Sequence, residues 1–221
     1  MECRRPGPGS RSGCCKDCVI GAPVLNPSDL GPDPIAAFRA WLSAAREAGI
    51  RLPETVILAT ATRDGAPSAR AVLLKGVDER GFTLFTNLES RKAREVDENP
   101  RAALVFLWNA LGRQVRVEGT VRPIGREESE AYFRTRPRGS RIGAWASPQS
   151  AVVESREELE RRFAEAERAH PGDDVPLPPF WGGVRLAPDA IEFWQHRENR
   201  LHDRLRYRRA GTAWTVERLA P

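Results

Sequence analysis

Cysteine is missing from the whole of residues 19–221; Cys3, Cys14, Cys15 and Cys18 are the only four and have no distant partner. A disulfide-stapled fold is therefore excluded, and stability has to come from a hydrophobic core. Long apolar runs are missing too, and none approaches the ~18 residues of a membrane-spanning helix. The N-terminus has arginines but no apolar stretch before its glycines and prolines. No secretory leader is read there, and the chain is expected to be soluble and cytoplasmic, with no membrane partner. G-x-G-x-x-G, the P-loop and G-x-S-x-G are all absent, which removes the common dinucleotide, nucleotide and serine-hydrolase signatures. His170, His196 and His202 show no zinc spacing with cysteines or carboxylates, so no metal site is expected. Tyrosine is scarce as well, with only Tyr132 and Tyr207.

What is present fits one α+β domain. The 221 residues are 40% hydrophobic, enough for a sizeable core. Thirty-five bases stand against thirty acids, a net charge of +5. Most of that excess lies in residues 197–209, where six arginines oppose only Glu198 and Asp203. Mixed charge with a local excess suits pockets for small anions better than a stripe along a phosphate backbone, so no nucleic-acid partner is expected. Cys15-x-x-Cys18 has metal-ligand spacing, but the surrounding Gly, Pro, Arg and Ser show no periodicity. Residues 1–32 are expected to be a disordered tail, and residues 33–221 a single domain.

Periodicity places the elements. Asp33 caps a helix that Pro34 opens, Ile35, Phe38, Leu42 and Ala45 form its apolar stripe, and Gly49 ends it. Three short strands follow at 55–62, 68–76 and 81–87, the first two joined by an Asp64-Gly65 turn. Residues 90–99 form a short helix that stops before Pro100. Strands are expected at 102–108 and 113–124, the second alternating with Val115, Val117 and Val121 on one face. Residues 126–137 are helical until Pro137, with a loop beyond. Residues 155–169 make a further helix opened by a Ser155-x-x-Glu158 capping box. After a proline-rich connector, four strands close the chain: GGVRLAP, AIEFWQH, HDRLRYRR and AWTVERL. Helices flanking short antiparallel strands predict a barrel-like sheet.

Four regions carry anion chemistry. Arg70 and Lys75 share one strand. Ser90, Arg91 and Lys92 open a helix, whose N-terminus offers free N–H groups and a positive dipole end; an ordinary surface helix start is the bland alternative. Tyr132 and Arg136 lie one helical turn apart, with Arg138 and Ser140 beyond, alternatively a solvated face. Gln149-Ser150 adds polar groups. Arg200 and His202, spaced i and i+2, would share one face of a strand, giving an anion clamp beside a group that titrates near neutrality. The bland alternative is a basic edge strand.

These segments match a known family. RAVLLKG (70–76), FTNLESRKARE (85–95), RQVRVEG (113–119), EAYFRTRPRGSRIGAWASPQS (130–150), FWGG (180–183) and IEFWQHRENRLHDRLRYRR (191–209) resemble those of the pyridoxamine 5′-phosphate oxidases. The resemblance covers nearly all of residues 33–221. It implies an FMN-binding split β-barrel homodimer with the cofactor in clefts at the subunit interface. It implies oxidation of pyridoxamine and pyridoxine 5′-phosphates by O2 to pyridoxal 5′-phosphate and H2O2, an oxidoreductase acting on CH–NH2. By motif, FMN contacts fall on Arg70, Ala71, Val72, Leu73, Leu74, Lys75, Phe85, Thr86, Arg91, Lys92, Gln114, Gln149, Ser150, Trp194 and Arg204. Substrate phosphate contacts fall on Lys75, Tyr132, Arg136 and Ser140. Arg200, Leu201 and His202 would hold the pyridine ring against the flavin, with Arg200 above the reacting carbon and His202 orienting the substrate.

The chain departs from the family in three places. The family's Arg-x-x-Tyr element ahead of the first helix is missing, since no tyrosine precedes Tyr132. Ala71 stands where a larger residue is usual. His196 and Glu198-Asn199 replace the usual small residues and proline before Arg200. These departures leave two alternatives: a phenazine-type flavin oxidase acting on another biosynthetic intermediate, or a non-catalytic flavin or pyridoxal-phosphate carrier.

Overall fold

The computed structural model describes residues 23–221. Helices α1 (Pro27–Leu30) and α2 (Pro34–Glu47) come first. Strands β1 (Thr55–Ala61), β2 (Pro67–Leu73), β3 (Gly76–Asp78) and β4 (Gly81–Asn87) come next, then α3 (Arg91–Glu98). Strands β5 (Arg101–Trp108) and β6 (Arg113–Pro123) precede helices α4 (Arg126–Thr135), α5 (Arg138–Ala146) and α6 (Arg156–Ala169). Strands β7 (Trp181–Gln195), β8 (Asp203–Ala210) and β9 (Ala213–Arg218) complete the chain. All pairings are antiparallel, in the order β2-β1-β5-β6-β7-β4-β3, with β8 on β7 and β9 on β8. The result is a curled α+β split barrel with flanking helices.

The long strand β7 does most of the curling. It pairs with β6 along its length, with β4 through residues 181–186 and with β8 through residues 190–195. The change of partner falls at Pro188, which supplies no N–H and lies where the β6 register shifts between Glu118 and Gly119. Gly119 is required at that bulge, because a Cβ would overlap the Ala187 carbonyl. The two strands expected from GGVRLAP and AIEFWQH are thus one strand.

Helix α2 plugs the inside of the curl. Asp33 caps it by accepting from the Ile35 N–H at 2.8 Å. Its buried Phe38 lies 4.9 Å from Phe82 and 4.8 Å from Phe106, and Trp41 meets Phe193 edge-on at 5.1 Å. Full burial of each such ring is worth about 1.5–3 kcal/mol in transfer alone. The core takes the inward sets Val56 and Leu58, Leu104 and Phe106, and Val115, Val117 and Val121.

Four expectations need correction. Order begins before Asp33: Leu25 and Leu30 are buried, α1 precedes α2, and the Leu25 N–H donates to the buried Asp203 carboxylate at 3.1 Å. The rest of the expected tail, with its four cysteines, lies outside the described residues. The strand expected over 68–76 breaks at Leu74–Lys75, where the chain leaves β1 and starts a short pairing with β4. The loop expected after Pro137 is helix α5, with Pro137 at its N-cap; proline is well placed before a first turn because no N–H is needed there. The Arg200–His202 pair is not on a strand. Arg200 ends a 3-10 turn (Glu198–Arg200) and His202 lies just before β8.

The outer face of the sheet carries an apolar patch. Opposed residues share a face, so Ile57 groups with Ala71 and Val105, and Thr55 with Leu73. Leu107, Gln114, Trp194 and Arg204 form one row across β5, β6, β7 and β8. Leu107 is 55% exposed, Ile57 41% and Leu73 38%, unusual for large aliphatic side chains grouped on one folded surface. Among the described residues, no helix is long and apolar enough to cross a membrane.

Candidate functional site

A cleft of about 560 Å³ opens beside the edge strand β2. Its lining comes from β2 (Arg70, Ala71, Val72, Leu73), Lys75, β4 (Phe85, Thr86), the start of α3 (Arg91, Lys92), Tyr132, Arg136, Gln149, Ser150 and Trp181.

At one end the cations gather. Lys92 Nζ donates to Gln149 Oε1 at 2.7 Å, Thr86 Oγ1 at 3.0 Å and Ser90 Oγ at 3.1 Å. Burial, and then the positive charge of Arg70, bring its ammonium down to about 8. Ser90 is the N-cap of α3 but does not cap it with its side chain; its buried hydroxyl accepts from Lys92 instead. The Arg91 N–H, at the positive end of the helix, donates to Ser150 Oγ at 3.2 Å. Ser150 has φ +74°, a left-handed conformation unusual outside glycine. The segment after α5 is thereby tied to the start of α3.

At the other end the wall is aromatic. Phe85 stacks on Tyr132 at 4.0 Å and on Trp181 at 5.5 Å. The Arg136 guanidinium lies 4.7 Å from the Trp181 ring centroid. Arg136 Nη1 is buried and has no hydrogen-bond partner among the described residues. Burial disfavours its charged form, partly offset by Tyr132. A buried cationic donor without an acceptor is a cost that a bound anion removes.

The remaining expected residues lie elsewhere on this chain. Leu74, 4% exposed, belongs to the core and does not line the cleft. Ser140 is exposed in the first turn of α5, off the cleft. Gln114, Trp194 and Arg204 form the outer-face row. Arg204 makes a two-point ion pair with buried Glu192, at 2.8 and 3.1 Å. His202 packs 4.5 Å from Trp194 and 5.2 Å from His196. Its Nδ1 accepts the Arg197 N–H at 3.1 Å, which places the neutral ring's proton on Nε2. Burial, followed by the charges of His196 and Arg200, lowers its pKa and favours the neutral ring.

Asn199 and Arg200 have φ +54° and +61°, two consecutive non-glycine residues in left-handed backbone, and Leu201 is 71% exposed. Buried Asp203 fixes the turn that carries them. It binds Arg197 Nε at 2.6 Å, Arg218 Nη1 at 2.7 Å and the Leu25 N–H. The i, i+2 spacing therefore brings Arg200 and His202 together through a turn rather than a strand.

Trp181, Glu95 and Asp203 join the residues expected from the sequence as structural supports of the site. Trp181 lies in the matched FWGG segment, and Glu95 is one helical turn after Arg91, so both had a signal. Asp203 lies in the matched segment 191–209, but its joining of segments 178 residues apart has no local signal.

A split barrel with a cationic, aromatic-walled cleft defines a protein suited to phosphorylated, ring-bearing ligands. Two family models match: pyridoxamine 5′-phosphate oxidase over residues 42–169, and the pyridoxine 5′-phosphate oxidase C-terminal dimerisation region over residues 181–221. The chain belongs to the pyridoxamine 5′-phosphate oxidase family. It is 62% identical over 190 residues to the pyridoxine/pyridoxamine 5′-phosphate oxidase of Rubrobacter xylanophilus, covering 86% of this chain and 88% of the relative. The protein of the same description from Cupriavidus taiwanensis is 54% identical over 204 residues, 92% and 95% of the two chains. Among solved structures, PhzG from Burkholderia lata, in complex with tetrahydrophenazine-1-carboxylic acid, superposes with a TM-score of 0.84. Its identity is 35%, over 90% of this chain and 98% of that one. A pyridoxamine 5′-phosphate oxidase-related FMN-binding protein from Nostoc punctiforme shares the fold, at TM-score 0.68 and 19% identity, over 83% and 97%.

Proposed function

We propose that the protein is an FMN-dependent oxidase converting pyridoxamine and pyridoxine 5′-phosphates to pyridoxal 5′-phosphate with O2. One observation supports this beyond family membership: five cationic side chains, Arg70, Lys75, Arg91, Lys92 and Arg136, line a single cleft, and we read them as two phosphate-type donor sets. Arg70, Arg91, Lys92 and the start of α3 form one, matched to the phosphate of FMN. Lys75, Tyr132 and the orphaned Arg136 form the other, matched to the phosphate of the substrate. Leu74, expected by motif at FMN, has its side chain in the core.

The donor chemistry fits FMN on both counts, with cations for its phosphate and apolar Val72 and Leu73 among the walls available to its ring. FMN held there would supply the two-electron acceptor: C4′ gives up a hydride equivalent and its hydroxyl or amine a proton, O2 takes up the two electrons and two protons as H2O2, and with the amine substrate water is taken up and ammonia released to leave the aldehyde. The chain's own residues hold and orient. Arg136 and Lys75 anchor the substrate phosphate, and the cation–π contact with Trp181 sets the guanidinium plane.

Dimerisation through the outer face would let Arg200 and His202, beside the Trp194 and Arg204 row, reach the chemistry. Ala71 and Leu73 belong both to the cleft rim and to the apolar outer face, which also carries Trp194 and Arg204. A twofold homodimer burying that face brings one chain's Gln114, Trp194, Arg200, His202 and Arg204 toward its partner's cleft. The match to the C-terminal dimerisation region over residues 181–221 supports this arrangement. The Arg136 orphan favours a phosphorylated substrate over the phenazine-type alternative.

Full-length protein freed of flavin should bind one FMN per chain, as a dimer. Its FMN affinity should be highest at about pH 6–8. Below about 6 the phosphate itself takes up a proton. A phosphate dianion favours the charged form of Lys92, so the pKa of Lys92 rises on binding and affinity falls as pH climbs above about 8. Isothermal titration across that range checks both limbs. A flat profile above pH 8 would remove Lys92 from the phosphate site.

A further inference from the structure

Helix α3 places its charges against helix electrostatics. Its first turn carries Arg91 and Lys92 and no acid, although the N-terminal end is positive. The Arg91–Glu95 pair runs in the less favourable i, i+4 direction, cation first. Glu95 is the only buried residue of this helix, its side chain 4% exposed. A buried carboxylate is tolerated only when it is fully paired.

Its pairing is specific. Glu95 accepts from Thr60 Oγ1 at 2.5 Å, Ser68 Oγ at 2.5 Å, Arg91 Nε at 2.8 Å and Arg70 Nη2 at 3.3 Å. Burial would raise its pKa, but the hydrogen bonds from Ser68, Thr60 and Arg91 and the charge of Arg70 outweigh this and hold it at about 2. Because an ionised carboxylate only accepts, both hydroxyl protons point at Glu95. The hydroxyl lone pairs are then free for Arg70, which donates to Thr60 Oγ1 and Ser68 Oγ. One buried charge thus orders the donors of two arginines that line the cleft. It also trims the charge: three cations and one carboxylate leave two positive charges, the complement of a phosphate dianion.

The geometry points to Glu95 as a positioning residue for the cofactor phosphate, fixing Arg70 and Arg91 from behind the cleft without touching the ligand. This rests on the reading that the FMN phosphate binds at that end. Glu95→Gln is the informative change. An amide has one acceptor oxygen for four donors, and its own N–H groups face the arginines.

The test compares FMN with riboflavin, which lacks the phosphate, on full-length protein freed of flavin. In Glu95→Gln the FMN dissociation constant should rise roughly tenfold or more, the loss expected for charge-assisted hydrogen bonds. Riboflavin affinity should be unchanged. A loosened fold would weaken both flavins alike, and that result, or no change in either, overturns the role. Ser68→Ala keeps the carboxylate while removing one of its donors and one acceptor of Arg70. It should weaken FMN alone, by about threefold, and it decides the matter by the same criterion should Glu95→Gln not fold. Wild-type protein that binds FMN no more tightly than riboflavin would overturn the proposed function itself.

Discussion

Arg136→Leu should lower kcat/KM for pyridoxine 5′-phosphate by roughly 10- to 100-fold, the worth of a charged hydrogen bond in a partly desolvated site. The loss should appear chiefly in KM, because a phosphate remote from the reacting carbon is held alike before and during the chemical step. FMN binding should be retained, since Arg136 lies at the aromatic end of the cleft, away from Lys92 and Arg91. Stability of the substrate-free protein should be unchanged or raised. The wild-type guanidinium has a buried Nη1 without a hydrogen-bond partner among the described residues, and leucine keeps an apolar stem against Phe133 and Trp181. Steady-state kinetics and a thermal melt on one preparation check both signs. An unchanged KM would place the substrate phosphate elsewhere.

Arg200→Ala and His202→Ala should each reduce turnover on the order of 100-fold, the scale for removing a placed polar group from a reacting centre, with FMN still bound. The composite site makes a sharper claim. Arg200→Ala and Arg136→Leu chains, each poorly active alone, should recover about a quarter of wild-type activity when co-folded as a random mixture of dimers. Half of the dimers are then mixed, and each mixed dimer rebuilds one intact site from an unaltered cleft and an unaltered partner turn. No recovery, in a mixture shown to contain mixed dimers, would mean that both residues serve a site within one chain.

Local pattern carried much of this molecule. The Asp33 cap, the amphipathic stripe of α2, the Val115, Val117 and Val121 alternation and the Ser155 cap of α6 are local signals, and each is met in the structure. Long-range partnering is where local pattern fails. Pro188 reads as a strand break, yet β7 continues through it because the partner changes there. Arg200 and His202 read as one face of a strand. Asp203, bound to a residue at the other end of the described chain, instead holds them in a turn that an i, i+2 spacing does not announce. The cleft residues split the same way. Arg91, Lys92 and Tyr132 sit on helices whose starts and faces are visible in sequence, whereas α4 ends at Thr135 and leaves Arg136 just beyond it in extended backbone, not on the helix face that its spacing from Tyr132 suggests. The aromatic partner of Arg136 and the buried acid behind Arg70 depend on packing between distant segments.

The most direct test of the central claim is to mix FMN-loaded protein with pyridoxine 5′-phosphate in air and measure pyridoxal 5′-phosphate and H2O2 together. The account predicts both products in equal amounts, with O2 consumed to match and unphosphorylated pyridoxine a far poorer substrate. Flavin bound stoichiometrically, with neither pyridoxine nor pyridoxamine 5′-phosphate oxidised, would contradict it and leave the cleft to a different substrate.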